Sequence, residues 1–403
     1  MRKDLEEILN KTQKQRKEMD ERAFINQKRV LEAFKNNKIA LRHFAGTSGY
    51  GYDDAGRDAF NNVVAEIFGA EKAVCGPLIA SGTHAITVAL FGVLRPGDEV
   101  LSAVGKPYDT LEEVIDGKNN GSLADFGVKF HYIDLVGDDF DYDAIREFLQ
   151  SRKVKMLYLQ RSRGYAWRQA LSIQQLKKVC SLCKEVSPQT VIFCDNCYGE
   201  FVDVYEPTHA GVDFCAGSFI KNIGGGVAPT GGYVVGRGDL VDLAAGRLTA
   251  PSVGAEVGSY AAGYRLFYQG LFLAPHVTCQ ALKTALIFSQ ALSDRGYEVS
   301  PKPDGQFGDV VCSIKLGSEE KMRRFCKAIQ SVSPVDGFVT PEPWYQPGYA
   351  DKVIMAAGCF VQGASIELSC DGPIRPPYTV YMQGGLTLEH GLYALEKVLD
   401  GLE

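Results

Sequence analysis

The sequence lacks the features of several protein classes. It has no run of 18 apolar residues, so it predicts no transmembrane helix. Its N-terminus, MRKDLEEILNKTQKQRKEMDERAF, carries charges of both signs and lacks the apolar core of a signal peptide. It also lacks an excess of positive charge, because it contains 43 Lys and Arg and 49 Asp and Glu, which gives a net charge of −6. We therefore expect a cytoplasmic protein that binds neither nucleic acid nor membrane.

Cysteine usage argues against both disulfides and metal. The 11 cysteines are odd in number and scattered, which is typical of free thiols in a reducing compartment. Two C-x-x-C pairs occur, Cys180/Cys183 and Cys194/Cys197. The first lies in a helical pattern and the second begins in an apolar strand, and no histidine flanks them at zinc-finger spacing. We predict no metal site.

Apolar patterning divides the chain into three parts. Residues 1–45 contain no Gly or Pro and predict a helical arm, either solvated or packed on a partner subunit. Residues 46–295 alternate strand-like and helical patterns, which predicts a large three-layer α/β domain with a mostly parallel sheet. A long helix is expected over 252–293. Residues 296–403 predict a smaller α+β domain, with one of its strands at 364–369.

Glycine is abundant, at 43 of 403 residues or about 11% against a typical ~7%, and polar segments follow several predicted strands. The segment ASGTHA places Ser81, Gly82 and Thr83 at the start of a helix. Their N–H groups and hydroxyls suit a phosphate, although a simple helix cap is the alternative. Asp195 ends the apolar run VIFCD. A buried carboxylate there needs a cation or N–H donors, so it could partner either a protonated ring nitrogen or a neighbouring backbone N–H.

A third segment, SFIKNIGGGVAPTGG, combines a lysine with a glycine-rich loop. Lys221 follows an apolar strand and precedes five glycines in residues 223–232. Such a lysine is usually a surface residue, but in a desolvated site it can form Schiff bases. Ser218 adds a hydroxyl three residues earlier. The order S-G-T, strand-end Asp, then S-x-x-K with a glycine loop resembles fold-type I enzymes that use pyridoxal 5'-phosphate (PLP).

This resemblance implies a role for each residue. Lys221 would be the Schiff-base lysine, and Asp195 would keep the pyridine nitrogen protonated so that the ring acts as an electron sink. The backbone of Ser81–Thr83 and the Ser218 hydroxyl would hold the phosphate. Tyr108, in GKPYDTLEE, would stack on the ring; the alternative is a turn residue that follows a proline.

Longer stretches resemble one family within fold type I. GTSGYGYDDAGRDAF, GPLIASGTHAI, PGDEVLSAVGKPYDTLEEVI, FCDNCYGEF and DGPIRPPYTVYMQGGLT are similar to the methionine γ-lyase-like, or aluminium-resistance, proteins of the Cys/Met-metabolism group. The similarity runs from about residue 10 onward. It implies a carbon–sulfur lyase that performs α,β- or α,γ-elimination on an amino acid such as cystathionine, cysteine or methionine, with Tyr108 helping to protonate the leaving thiolate.

The same resemblance implies substrate and subunit contacts. Arg375 would clamp the substrate α-carboxylate by bidentate pairing. Tyr50 or Tyr52, together with Arg57, would reach the phosphate of a neighbouring subunit. A homo-oligomer follows, a dimer with shared active sites and commonly a tetramer.

One segment departs from the family pattern, and other functions stay open. Relatives carry an Asn that contacts the PLP phenolic oxygen, and here Gln160, Arg161, Ser162 and Arg163 are the candidates. An aminotransferase, or another PLP reaction on small amino acids, is the alternative enzyme. A PLP-carrying binding protein is a further alternative. A Rossmann nucleotide binder is disfavoured, because no G-x-G-x-x-G follows the first strand.

Overall fold

The larger of two sheets in the computed structural model, which describes residues 2–346, Tyr349 and 351–403, has seven strands. Its strands are β1 (Lys72–Gly76), β2 (Glu99–Ser102), β3 (Lys129–Tyr132), β4 (Met156–Gln160), β5 (Val191–Asp195), β6 (Phe214–Ser218) and β7 (Gly232–Gly236). Their spatial order is β1-β7-β6-β5-β4-β2-β3. β7 runs opposite to the other six strands of this sheet, so the predicted mostly parallel sheet is confirmed.

Both faces of this sheet are buried, which explains the near-continuous apolar strands. In β4, Leu157 and Leu159 join one core while Met156 and Tyr158 join the other. Successive strand residues point to opposite faces, so both sets must be apolar. One face is covered by α3 (Ala55–Ile67), α6 (Tyr142–Ser151) and α7 (Ile173–Val186), and the other by α4 (Gly82–Val93), α5 (Asp109–Asp116) and α8 (Gly238–Leu248).

The carboxyl ends of three central parallel strands meet at one edge. Gln160 at the end of β4 pairs with Asp195 at the end of β5, which pairs with Ala216 in β6. Ser218 closes β6 two residues later. Because open α/β sheets bind ligands beyond these strand ends, this edge is where a site is expected.

The second sheet is antiparallel and belongs to the C-terminal part of the chain. Its strands are β8 (Glu298–Ser300), β9 (Val311–Lys315), β10 (Trp344–Tyr345), β11 (Lys352–Ala356), β12 (Ser369–Pro373) and β13 (Thr379–Gln383). Helices α10 (Glu319–Ser331) and α11 (Leu388–Leu402) share its apolar core. The strand expected at 364–369 is wrong, because Glu367 accepts the N–H groups of Phe360 and Val361 and holds that stretch as a loop.

The N-terminal helices α1 (Lys3–Lys11) and α2 (Gln13–Asn36) pack on their own chain. Leu5 and Ile8 enter the core of the C-terminal part, and Val30 enters the core of the larger sheet. Phe24 stays exposed on α2. The domain boundaries near residues 45 and 295 stay a prediction.

The longest helix, α9 (Arg265–Ser293), contributes to both cores. It begins 13 residues later than the expected 252, because Gly254, Gly258 and Gly263 adopt positive φ angles that interrupt a helix. By length and composition α9 is the one described helix that could cross a membrane. However, 78% of its most apolar window is buried inside the protein, as in a core helix.

Gly224, in the turn that follows Lys221, lies too close to the backbone to carry a side chain. A Cβ there would fall 1.6 Å from the Phe219 carbonyl oxygen. We expect Gly224→Ala to destabilise the protein by about 3 kcal/mol or more, because backbone rather than a side chain must move. Gly246→Ala is the control: Gly246 lies within α8, and a Cβ there would be 3.7 Å from its nearest neighbour, Pro251 Cα, so the change should raise stability by about 0.5–1 kcal/mol. Urea unfolding of both variants measures the difference, and equal stabilities would contradict it.

Candidate active site

A cavity of about 300 Å³ lies beyond the carboxyl ends of β4, β5 and β6. It is lined both by the loops of the larger sheet and by residues of the second sheet. Seven residues predicted from the sequence line it together: Ser81, Gly82, Thr83, Tyr108, Asp195, Ser218 and Lys221. Segments far apart in the chain therefore converge on one volume.

The start of α4 forms one side of the cavity. The Ser81 hydroxyl accepts the N–H of His84 at 3.1 Å, so Ser81 caps the helix as the simpler alternative expects. The cap uses the third helical N–H and leaves those of Gly82 and Thr83 at the free end of the helix. A Cβ on Gly82 would lie 3.2 Å from both Cys197 Sγ and Ser218 Cβ, so the cavity floor is tight here. Exposed N–H groups at a helix start suit an anion.

Asp195 brings a buried carboxylate to the end of β5. It accepts the backbone N–H of Cys197 at 3.0 Å. Burial raises the pKa of Asp195, while the nearby Lys221 ammonium and the Cys197 N–H lower it, and the net direction is upward. A positively charged partner in the cavity would offset this cost of burial.

Lys221 directs its amine into the cavity beside an aromatic ring. Its Nζ lies 3.9 Å from the centroid of the Tyr198 ring, a cation–π distance. Burial lowers the pKa of Lys221, but the surrounding acidic groups, including Cys197, Tyr198 and Asp195, raise it further than burial lowers it. Tyr198 has a φ of 69°, a left-handed conformation that is rare for a non-glycine residue and clusters at functional sites.

Tyr108 immediately precedes α5 and lines the same cavity. Its hydroxyl lies 3.2 Å from the Thr83 hydroxyl, and its backbone N–H donates to Gln160 Oε1 at 3.4 Å. Burial, followed by the charge of Asp195, raises the pKa of Tyr108, so its phenol holds a proton at neutral pH. Tyr108 thus presents an aromatic ring and a protonated hydroxyl to the cavity.

The structure separates the four candidates at 160–163. Gln160 and Ser162 line the cavity. Arg161 and Arg163 turn into the protein interior instead: Arg161 donates to the Gly199 carbonyl at 2.8 Å, and Arg163 donates to the Ser300 carbonyl at 2.9 Å. Of the four, Gln160 therefore brings a side-chain amide to the cavity.

Four predicted residues lie outside the cavity lining. Tyr50 and Tyr52 stack at 5.4 Å and are 72% and 63% exposed. Arg57 is buried and donates to the Gly51 carbonyl at 2.9 Å, so it ties down the loop that carries the two tyrosines. Arg375 is exposed and pairs with Asp351 at 2.9 Å. Their roles in phosphate and carboxylate binding stay predictions.

Three of the four cysteines in the C-x-x-C pairs pack in the core of the larger sheet, and the fourth lines the cavity. Cys180, Cys183 and Cys194 are free and buried in the core of the larger sheet, and burial raises the pKa of Cys180 and Cys183 to about 12. Cys197 alone of the two pairs lines the cavity. Across the described residues, no three His, Cys, Asp or Glu side chains are arranged to hold a metal ion.

Sequence reasoning missed a second wall of the cavity. Tyr165, Tyr349, Asp371, Tyr381 and Gln383 line it, and several of them come from β12 and β13. Burial raises the pKa of Asp371 to about 7, and hydrogen bonding with Tyr165 opposes the shift. The strand-end logic that identified Asp195 could have flagged Tyr198 three residues later, but it does not reach this wall.

The pH dependence of stability should report on Asp371. An acid whose pKa is raised in the folded state loses stability as pH rises from its unfolded value near 4 to its folded value near 7. We therefore expect Asp371→Asn to flatten the decline in stability between pH 5 and pH 8 by about 1–3 kcal/mol relative to wild type. Urea titrations at both pH values measure it, and parallel declines would contradict the assignment.

Comparisons with solved structures show close relatives of the whole chain. A candidate cystathionine beta-lyase involved in aluminum resistance, from Listeria monocytogenes, is 45% identical, with a TM-score of 0.97 over 99% of each chain. A carbon-sulfur lyase involved in aluminum resistance, from Clostridium novyi, is 45% identical, with a TM-score of 0.95 over 98% of this chain and 94% of its own. The Bacillus subtilis protein YnbB is 48% identical over 393 residues, 96% of this chain and 92% of YnbB.

More distant structures confirm the fold class. The PLP-dependent protein YhfS of Escherichia coli is only 16% identical but superposes with a TM-score of 0.62 over 96% of this chain and 97% of its own, a likeness of fold alone. The fold-type I arrangement expected from the sequence is thus confirmed. The family model described as methionine gamma-lyase matches residues 1–403. This chain belongs to the methionine gamma-lyase family.

Proposed function

We propose that this protein is a PLP-dependent carbon–sulfur lyase that eliminates a thiol from a sulfur-containing amino acid. The observation that carries the proposal is that an amine, a buried carboxylate and the free end of a helix line one cavity, through Lys221, Asp195 and Gly82. Family membership supports lyase chemistry in that cavity. The 11 free and buried cysteines support a reducing compartment such as the cytoplasm.

The residues present fit the cofactor. Lys221 Nζ is the amine that would hold it covalently, and the N–H groups at the start of α4, with Ser218, would take its phosphate. Asp195 is a buried carboxyl whose raised pKa would be brought down by a positive ring nitrogen. Tyr108 and Gln160 offer an aromatic face and an amide to the same volume.

The chemistry then divides between cofactor and protein. When bound, PLP supplies an electron sink for the negative charge that develops at Cα of an amino acid. Lys221 Nζ is the base for the Cα proton, because it is the amine that lines the cavity. The Tyr108 hydroxyl, protonated at neutral pH, is the donor for the departing thiolate. Thiol, a keto acid and ammonia are the products of this proposal.

Product analysis tests the proposed reaction against transamination. Purified protein is incubated with cystathionine, cysteine and methionine, each with and without pyruvate. A lyase releases thiol or sulfide and ammonia without added keto acid, whereas an aminotransferase needs a keto acid as acceptor. Turnover that depends strictly on pyruvate would refute the lyase proposal.

We also infer a dimer with shared active sites, and a tetramer as the family's common state. The two stacked tyrosines, Tyr50 and Tyr52, expose most of their surface, and exposed aromatic patches are typical of subunit contacts. Their loop is held in place by Arg57 through the Gly51 carbonyl. These features support a loop that presents tyrosines to a neighbouring subunit.

Mixing two inactive variants should therefore restore activity. If Tyr52 serves the partner's site while Lys221 serves its own, unfolding and refolding Lys221→Ala together with Tyr52→Ala gives hybrids with one intact site. Random pairing of two subunits should restore about a quarter of the wild-type sites. Lys221→Ala mixed with Lys221→Ala is the control. Activity no higher than the sum of the separate variants would contradict shared sites.

A further inference from the structure

The cavity wall formed by Tyr165, Tyr349, Tyr381 and Asp371, here called the tyrosine wall, has no role in the chemistry described above. The Tyr165 ring lies 4.9 Å from the ring of Tyr381 and 5.5 Å from that of Tyr349. The Tyr381 hydroxyl donates to the Tyr165 carbonyl at 2.5 Å and fixes these two residues together. Three packed tyrosine rings and one carboxylate therefore line the same side of the cavity.

Asp371 is the acidic group of this wall, and none of the described side chains forms an ion pair with it. Arg375, four residues later, pairs with Asp351 instead. Lys221, the ammonium in the cavity, lies over the Tyr198 ring. Burial raises the pKa of Asp371 to about 7, the sign of a carboxylate that lacks a counter-charge. A bound cation would remove that cost.

Aromatic faces combined with a carboxylate form the standard chemistry for binding an ammonium group. We infer that the tyrosine wall binds an ammonium group carried on the leaving thiol of the substrate. This inference rests on the proposed lyase function. The substrate's own α-amine would bind the cofactor in place of Lys221, so the ammonium that Asp371 contacts is a second one. The substrate class is then an S-(aminoalkyl) amino acid, rather than cysteine or methionine, which carry no charge beyond sulfur.

Two matched substrates test this inference. S-(2-Aminoethyl)-L-cysteine and S-propyl-L-cysteine have the same length and differ only in a terminal ammonium or methyl group. Wild type should prefer the ammonium compound by about 10- to 100-fold in kcat/KM, the worth of one charge-assisted contact. Asp371→Asn should reduce the preference to within about threefold by raising KM for the ammonium compound. Exposed Asp304→Asn is the control and should keep the full preference.

A binding measurement separates this inference from the lyase proposal. The Lys221→Ala variant should not turn over substrate. Its calorimetric titration with each of the two compounds therefore measures how tightly the tyrosine wall binds them. Tighter binding of the ammonium compound supports the wall even if wild type cleaves neither compound, a result that would refute only the lyase. Equal affinities of Lys221→Ala for the two compounds, together with equal kcat/KM values of wild type for them, would overturn the inference about the tyrosine wall. Tyr165→Leu is the second variant, and it should also lose the preference.

Discussion

Replacing Lys221 with alanine should reduce thiol release by about 10³- to 10⁴-fold or more. The change removes both the amine that would hold the cofactor and the base for the Cα proton. The side chain lines the cavity and contacts the Tyr198 ring rather than the apolar core, so the fold should survive. Initial rates of thiol and ammonia release, together with thermal unfolding, measure the two expectations separately.

An exposed lysine provides the comparison for this variant. Lys302→Ala, in the C-terminal part, should keep wild-type rates. If Lys221→Ala retained a tenth of the wild-type rate, its amine would not be the catalytic base. A variant that lost its rate only because it unfolded would be recognised by its thermal transition.

Asp195→Asn should lower the rate by about 10²- to 10³-fold, the usual cost of removing one preorganised electrostatic group. The amide matches the carboxylate in size but cannot keep a ring nitrogen positively charged. It also removes a buried charge. Burial raises the pKa of Asp195 above its unfolded value, so ionisation costs stability as pH rises above about 4.

Activity and stability should therefore change in opposite directions. Without cofactor, Asp195→Asn should lose less stability than wild type between pH 5 and pH 8. Steady-state kinetics and urea unfolding at both pH values measure the two trends. Asp143→Asn, an exposed carboxylate at the start of α6, is the control that should change neither. A joint loss of activity and stability in Asp195→Asn would assign Asp195 a purely structural role.

The sequence pattern predicted the larger sheet and its site because both follow local rules. Apolar strands that are buried on both faces predict a parallel sheet, and polar residues at the carboxyl ends of those strands predict the site. Asp195 and Lys221 were found in this way. Ser81 was correctly placed at a helix start, where both a cap and an anion site were possible.

The second wall could not be read from local pattern, because it depends on contacts between distant segments. Asp371 sits in β12, and the prolines at 373, 376 and 377 obscure that strand and β13 after it. Arg161 and Arg163 show a second difficulty. Charged side chains are usually exposed, yet both of these are buried because backbone carbonyls accept hydrogen bonds from their guanidinium groups.

The most direct test is to find the residue that holds the cofactor. The purified holoprotein is reduced with borohydride, digested, and mapped by mass spectrometry for the modified lysine. We expect a yellow protein that loses its colour on reduction and carries the modification on Lys221. A protein that stays colourless after incubation with PLP, or a modification on another lysine, would contradict the account.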